Sequence, residues 1–217
     1  MEQKDINQVE SYSLMTGKRN SGYDKLSDEQ LILKFQNEEV AAFNEIVFRY
    51  KDRLINFLYR YTGSIESAED IAQDTFIKLY KNKHMYIEIA KFSTWFYTIA
   101  INETNTYLRK SKKNRTVSIN SFDDPEKPAF EFKSDETSPY DNMNIKDEAY
   151  LIQKAINNLD VNHREILLLR DIQDLEYDEI SKILNIPLGT VRSRINRGRE
   201  SLKIILNNIN KNRGVKK

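Results

Sequence analysis

Between Arg192 and Lys203 the sequence places Arg192, Ser193, Arg194, Asn196, Arg197, Arg199 and Lys203, with Glu200 as the sole opposing charge. Arginine and asparagine can read base edges in the major groove of duplex DNA, and arginine and lysine also neutralise phosphates. The chemistry implied is recognition of a polyanion rather than bond making. Residues suited to covalent or metal chemistry are scarce: the only histidines, His84 and His163, lie far apart, and there is no cysteine. Disulfides and cysteine-based zinc sites are therefore excluded. No nucleophile–base pair, phosphate-binding glycine loop or metal-ligand cluster stands out, so an enzyme, a cofactor and a metal find no support.

The residues before Arg192 predict how the basic stretch is positioned. Tyr177, Ile180, Ile183 and Leu184 space a buried stripe along a helix of Glu176 to Leu184. Asn185 follows where a left-handed residue is needed, and asparagine tolerates that conformation. Pro187 cannot continue the first helix but suits the opening turn of the next. The second helix, Leu188 to Asn208, buries Val191, Ile195, Leu202 and Ile205, with Gly198 in the same stripe. Glycine inside a helix costs about 1 kcal/mol against alanine, so close approach of another helix is expected there. Stripe, tight turn and basic second helix together describe a helix-turn-helix. An ordinary solvated bundle helix would need only the last of the three.

The rest reads as all-α, in two small helical domains. Glycine (6) and proline (4) are scarce, and apolar residues recur at three- and four-residue spacing. Ser27 with Gln30 carries a capping-box signature ahead of Leu31 and Phe35. A longer helix is expected from Glu39 to Tyr61, striped by Phe43, Ile46, Val47, Tyr50, Leu54, Phe57, Leu58 and Tyr61 and ended by Gly63. Further helices are expected over Ile65 to Tyr80, Phe92 to Lys112, Ile145 to Leu159 and Asn162 to Ile172, with a loop over Lys81 to Lys91. Residues 1–25 read as a disordered tail. Residues 114–142 hold Pro125, Pro128, Pro139 and an acidic cluster including Asp123, Asp124, Glu126 and Glu131, and read as a flexible linker between domains at 26–113 and 143–217. A flexible chain of that length spans about 30 Å on average. Charged residues are 31% of the chain at a net charge of +1, so it is no bulk polyelectrolyte. With no apolar run near the ~18 residues of a membrane span and no secretory signal, a soluble, cytoplasmic protein is expected.

Two surfaces of the first domain could carry chemistry. Glu69, Asp70, Gln73 and Asp74 fall on one side of the third helix, opposite Ile71, Phe76 and Leu79. A carboxylate face suits an arginine-rich partner, although composition alone fits solvated surface better. The fourth helix ends in Arg109, Lys110, Lys112, Lys113 and Arg115. One cation would complement the helix dipole; a cluster points to DNA backbone contact. Asn102 and Asn105, about one turn apart, could hydrogen-bond base edges. Trp95 is expected to pack with Phe92 and Phe96 rather than stack on a base.

On these residues the chain resembles the sigma-70 family. Tyr177 to Leu202 is similar to region 4, in the pattern Y-x-E-I-x-x-I-L-x-I-P-x-G-T-V-R-S-R-x-x-R-G/A-R-x-x-L. Ala68 to Phe76 (AEDIAQDTF) and Phe92 to Asn102 (FSTWFYTIAIN) resemble region 2. Two motif sets in this order, joined by an acidic linker, resemble the extracytoplasmic-function (ECF) subfamily, over residues 26 to 208. The sequence departs from the family at Asn185, where glycine is usual, at Gly198, where alanine is common, and over His84 to Ala90. Thr98 and Ile99 stand where housekeeping members carry a tryptophan pair.

The resemblance implies an alternative sigma factor that binds RNA polymerase core and directs promoter recognition, without a cofactor. It implies that Glu69, Asp70, Gln73 and Asp74 dock on the clamp coiled coil of the largest polymerase subunit. Asn102, Asn105, Arg109, Lys110 and Lys113 would meet the −10 element of promoter DNA, with an unstacked base held by the loop before Phe92. Thr190, Arg192, Ser193, Asn196, Arg197 and Arg199 would read the −35 element. An anti-sigma factor is an implied partner. The rivals are a stand-alone helix-turn-helix regulator, which would need a dimer and a palindromic site, and an adaptor that has lost DNA binding.

Overall fold

The computed structural model describes residues 22–117 and 139–214, with side chains over 22–111 and 148–211. The expected tail through residue 21 and the expected linker over 118–138 lie outside the described residues. Among those described, all regular structure is helical. An N-terminal group comprises α1 (Asp28–Gln36), α2 (Val40–Thr62), α3 (Ile65–Lys81) and α4 (Phe92–Val117), with a 3₁₀ turn at Lys83–Met85. A C-terminal group comprises α5 (Pro139–Asn157), α6 (Val161–Leu167), α7 (Tyr177–Leu184) and α8 (Leu188–Gly214), and α6 runs on through a π-turn at Leu168–Ile172.

Helix ends follow local chemistry. The Ser27 hydroxyl accepts from Gln30 N at 3.2 Å while the Gln30 side chain accepts from Ser27 N at 2.9 Å, which closes the expected capping box. Ser64 caps α3, and Asp160 caps α6 by accepting from Asn162 N at 2.9 Å. Gly63 ends α2 at φ 78°, and Asn185 ends α7 at φ 51°, both left-handed. Three helices outrun expectation: α4 continues to Val117 rather than Lys112, α5 starts at Pro139 rather than Ile145, and α8 continues to Gly214 rather than Asn208. Proline is at home in a first helical turn, where its missing N–H has no intrahelical partner to lose. The α8 extension meets no glycine or proline until Gly214.

The N-terminal group closes over Leu31, Phe35, Ile46, Leu54, Phe57, Phe76, Phe92 and Phe96, all buried. Tyr50 lies edge-on to Phe92 at 5.4 Å and to Phe96 at 4.8 Å, geometry worth about 0.5–1.5 kcal/mol per pair beyond burial. Its hydroxyl donates to Asp28 Oδ2 at 2.6 Å. Arg49 gathers the chain ahead of α1: it donates to Leu26 O at 2.8 Å, to Tyr23 O and Asp24 O at 3.0 Å, and to the carboxylates of Asp28 and Glu45. Residues 22–25, expected with the loose tail, are thus tied down. In the C-terminal group Ile166, Leu168, Leu169, Ile180, Ile183, Val191 and Ile195 are buried, with Leu202 and Ile205 half-buried at the margin. A Cβ on Gly198 would come within 3.2 Å of Leu167, so α6 makes the close approach expected there.

The two groups pack against each other. Tyr61 Oη donates to Glu165 Oε2 at 3.0 Å, Arg164 Nη1 to Tyr61 O at 2.8 Å, and Gln153 Nε2 to Arg60 O at 3.1 Å. A Cβ on Gly63 would lie 2.8 Å from Asn157 Nδ2, so the turn after α2 comes close to the α5 side chain, and its left-handed φ of 78° favours glycine there.

Candidate nucleic-acid and polymerase interface

The helix-turn-helix is built almost wholly from neighbours in sequence. Glu176 N donates to Glu179 Oε2 at 2.9 Å within a second capping box. Ile186 N donates to Ser181 O at 3.1 Å, the Ser181 hydroxyl donates to Ile186 O, and Val191 N donates to Pro187 O at 3.1 Å. These bonds fix the angle between α7 and α8. Burial of Val191 and Ile195 then fixes the rotation of α8 about its axis, and leaves Arg192, Ser193, Asn196, Arg197 and Arg199 exposed with Thr190 half-buried. Ser193 Oγ donates to Thr190 O at 3.1 Å. The Arg199 guanidinium is held by Asp171, which raises its pKa further above the usual value. The remaining cationic groups on this face are free to meet an anion, as direct readout requires.

On α4, Asn102, Arg109 and Lys110 are exposed and Asn105 is half-buried; the side chain of Lys113 lies outside the described residues. The loop before α4 is positioned from a distance. Gln36 Nε2 donates to Lys83 O at 2.7 Å and to Tyr86 O at 2.9 Å. Lys83 is nearly buried, 4.6 Å above the Phe35 ring and 2.7 Å from Glu38 Oε2, and it lowers the Glu38 pKa. Glu38 itself takes a left-handed φ of 66°. Glu29 Oε1 accepts from Phe92 N at 3.1 Å and so satisfies an otherwise orphaned donor at the start of α4. Burial works to raise the Glu29 pKa, but that bond and its other hydrogen bonds leave it below the usual range. Tyr86 is buried, donates to Ala90 O at 2.8 Å, and packs on Trp95 at 5.5 Å. Trp95 is half-buried against Phe92 and Tyr86, nearer the core edge than expected. The loop so held presents Met85, Ile87 and Ile89 to solvent.

On α3, Glu69, Asp70, Gln73 and Asp74 are all exposed, while Ala68, Ile71, Ala72, Thr75, Phe76 and Leu79 are buried on the opposite side. Among the described residues no acidic or histidine cluster could hold a metal ion, and no helix is long and apolar enough to cross a membrane.

Comparison with known proteins places these surfaces in context. Family models for Sigma-70 region 2 and Sigma-70 region 4 match residues 46–114 and 150–202. The ECF RNA polymerase sigma factor SigW of Bacillus subtilis is 37% identical over 163 residues, covering 75% of this chain and 87% of the relative. The chain belongs to the ECF sigma factors. The sigma-E factor of Haemophilus influenzae is 30% identical over 83% of this chain and 95% of its own length. Two solved structures share the fold: RpoE with the anti-sigma factor NepR from Bartonella quintana (TM-score 0.60, 23% identity, 80% of this chain, 97% of the other), and CnrH with the cytosolic domain of CnrY (TM-score 0.62, 19%, 83% and 97%).

Sequence reasoning did not reach the residues that organise this sigma factor's loop. Gln36, Glu29 and Glu38 are ordinary polar residues in a helical context, and their partners lie some 45–63 positions away. The contacts of Glu165, Gln173 and Glu179 with the N-terminal group were equally hidden. The left-handed Asn185 and the tight Gly198 were legible because each follows from helix geometry alone.

Proposed function

We infer that this chain is an alternative sigma factor that binds RNA polymerase core and directs it to a restricted set of promoters. The observation that carries the reading is the pairing of two unlike surfaces on one chain: an exposed arginine-bearing helix in a helix-turn-helix, and an exposed carboxylate face on α3. A stand-alone regulator needs the first and has no use for the second. In this reading Thr190, Arg192, Ser193, Asn196, Arg197 and Arg199 meet the −35 element, while Asn102, Asn105, Arg109, Lys110 and Lys113 meet the −10 element. Glu69, Asp70, Gln73 and Asp74 dock on the clamp coiled coil of the largest subunit. Residues 26–113 serve as the region 2 domain, 143–217 as the region 4 domain, and 114–142 as the tether. The chain makes and breaks no bond itself and works in the cytoplasm. The anti-sigma factor seen on RpoE of similar fold supports an anti-sigma partner here.

Run-off transcription with purified core, on promoters recovered by chromatin immunoprecipitation of this protein, tests the reading. The expected result is specific start sites only when core and chain are both present. Tight, palindrome-specific binding to duplex DNA by the chain alone, with no change in where polymerase starts, would favour a stand-alone regulator and overturn it.

A further inference from the structure

Arg199 differs from the other exposed arginines of α8. Its guanidinium donates to Asp171 through two nitrogens, Nε to Oδ2 at 3.4 Å and Nη2 to Oδ1, while Arg192 and Arg197 have no ion pair among the described residues. Asp171 comes from the π-turn that follows α6, 28 positions away in sequence. Packing sets the meeting. Gly198 lets α6 approach α8, with Leu167 3.2 Å from where a Cβ would stand. Asp171 lies four residues beyond Leu167, on the same side of the helix, and so meets the residue after Gly198.

The pair is half open to water, with side-chain exposures of 49% for Arg199 and 38% for Asp171. Exposed ion pairs add little to stability. A carboxylate beside a DNA-facing helix also repels phosphates at close range. Neither stability nor charge accounts for an acid at this place, but geometry does. A free arginine side chain turns about several bonds, and ordering it on binding costs affinity. Asp171 orders it beforehand by gripping the edge that carries Nε. The outer edge stays open, since Nη1 bonds nothing among the described residues. A planar edge of N–H groups matches a phosphate. Arg199 also lies seven residues past Arg192, about 10 Å further along the axis. That is beyond the N-terminal part of a recognition helix, which is the part that reaches base edges.

We propose that Asp171 is a positioning residue for promoter binding: it holds the Arg199 guanidinium so that its open edge grips a DNA phosphate beside the −35 contact. This rests on the reading of α8 as the −35 face. Asp171 acts only through Arg199, and Arg199 adds affinity without sequence preference, whereas Arg192, Ser193, Asn196 and Arg197 carry the base reading.

Holoenzyme reconstituted from the full-length chain and core polymerase, titrated on a fluorescent promoter duplex at several salt concentrations, tests the role. Asp171→Ala removes a negative charge beside DNA, so charge alone predicts tighter binding. A positioning role predicts the opposite sign: binding about fivefold weaker, the cost of ordering one long side chain. In an Arg199→Ala background the same substitution should weaken binding no further, a dependence that a merely structural role lacks. Asp171→Glu should restore most of the affinity. Arg199→Ala itself should flatten the slope of log affinity against log salt by about one, and equally so on duplexes altered at single −35 base pairs. Should Asp171→Ala unfold the chain, Arg199→Lys reads the same geometry with Asp171 intact. It keeps the charge and loses the fork, and should bind several-fold more weakly than wild type. Asp171→Ala binding as tightly as wild type or tighter, an undiminished loss in the Arg199→Ala background, full affinity in Arg199→Lys, or Arg199→Ala relaxing discrimination at one base pair overturns the proposal. If Arg192→Ala with Arg197→Ala leaves promoter binding untouched, the −35 reading of α8 fails and the role of Asp171 fails with it. If that double variant loses binding, the reading stands whatever Asp171 does.

Discussion

Helices α8 and α4 both expose asparagine and arginine, yet they are positioned by opposite means. The face of α8 is set by a turn of three residues, a capping box and two buried side chains, all within twenty or so positions of the chain. The loop and start of α4 are set by Gln36, Glu38 and Glu29, which belong to α1 and the turn after it. The proposed −35 reader is therefore a locally encoded unit whose face is exposed. The proposed −10 reader is a composite of distant stretches, with α7 packed at its edge. Substitutions far from DNA should disturb the second and spare the first.

The largest expected effect is at the local reader. Arg192→Ala with Arg197→Ala should cut promoter-directed run-off about a hundredfold or more, since each direct contact is worth about 1–3 kcal/mol. Thermal stability should hardly change, because both side chains are exposed. A double variant that initiates normally would remove α8 from the DNA-reading surface. Next comes the composite reader. Gln36→Ala deprives two loop carbonyls of their donor and should cost about 1–2 kcal/mol of stability, with initiation weakened and −35 footprinting retained. An equal loss of both would mean that the two readers are not built independently.

A smaller effect, opposite in sign, is expected where the two helical groups meet. Burial raises the Glu165 carboxyl above its ordinary range, although the Tyr61 hydroxyl and Arg194 pull the other way. A carboxyl raised in the folded state contributes stability below its ordinary pKa and loses it as pH rises through the raised value. Glu165→Gln should therefore raise the melting temperature at neutral pH by about 2–4 °C. The gap from wild type should shrink as the medium is acidified, because protonated Glu165 then behaves like glutamine. The smallest thermal effect belongs to Glu69→Ala with Asp70→Ala, within about 0.5 kcal/mol for exposed positions. The same variant should bind core about fivefold more weakly, as measured by co-sedimentation.

Much of this molecule was readable in advance, for a reason visible at particular residues. Ser27 and Gln30 form a cap because helix N-termini leave donors unpaired, and Asn185 turns left-handed because the chain must leave α7 at once. The carboxylate and apolar sides of α3 separate by the helical repeat alone. Tyr86 could not be assigned from its neighbours, because its burial depends on Trp95 and Phe92 across a loop whose path Gln36 dictates. Lys83 would be read as solvated in any sequence window, yet it is buried between Phe35, Tyr80 and Glu38.

The sequence by itself determined the helices, their caps, the helix-turn-helix and the faces on which charge collects, because each depends on the 3.6-residue repeat and on groups a few positions apart. Tertiary structure alone decided the path of the loop before α4 and the closure of the C-terminal helices on the N-terminal ones. Those depend on single hydrogen bonds between residues separated by tens of positions, such as Gln36 to Tyr86 and Tyr97 to Gln173. No periodicity links such partners, so only their meeting in space reveals them.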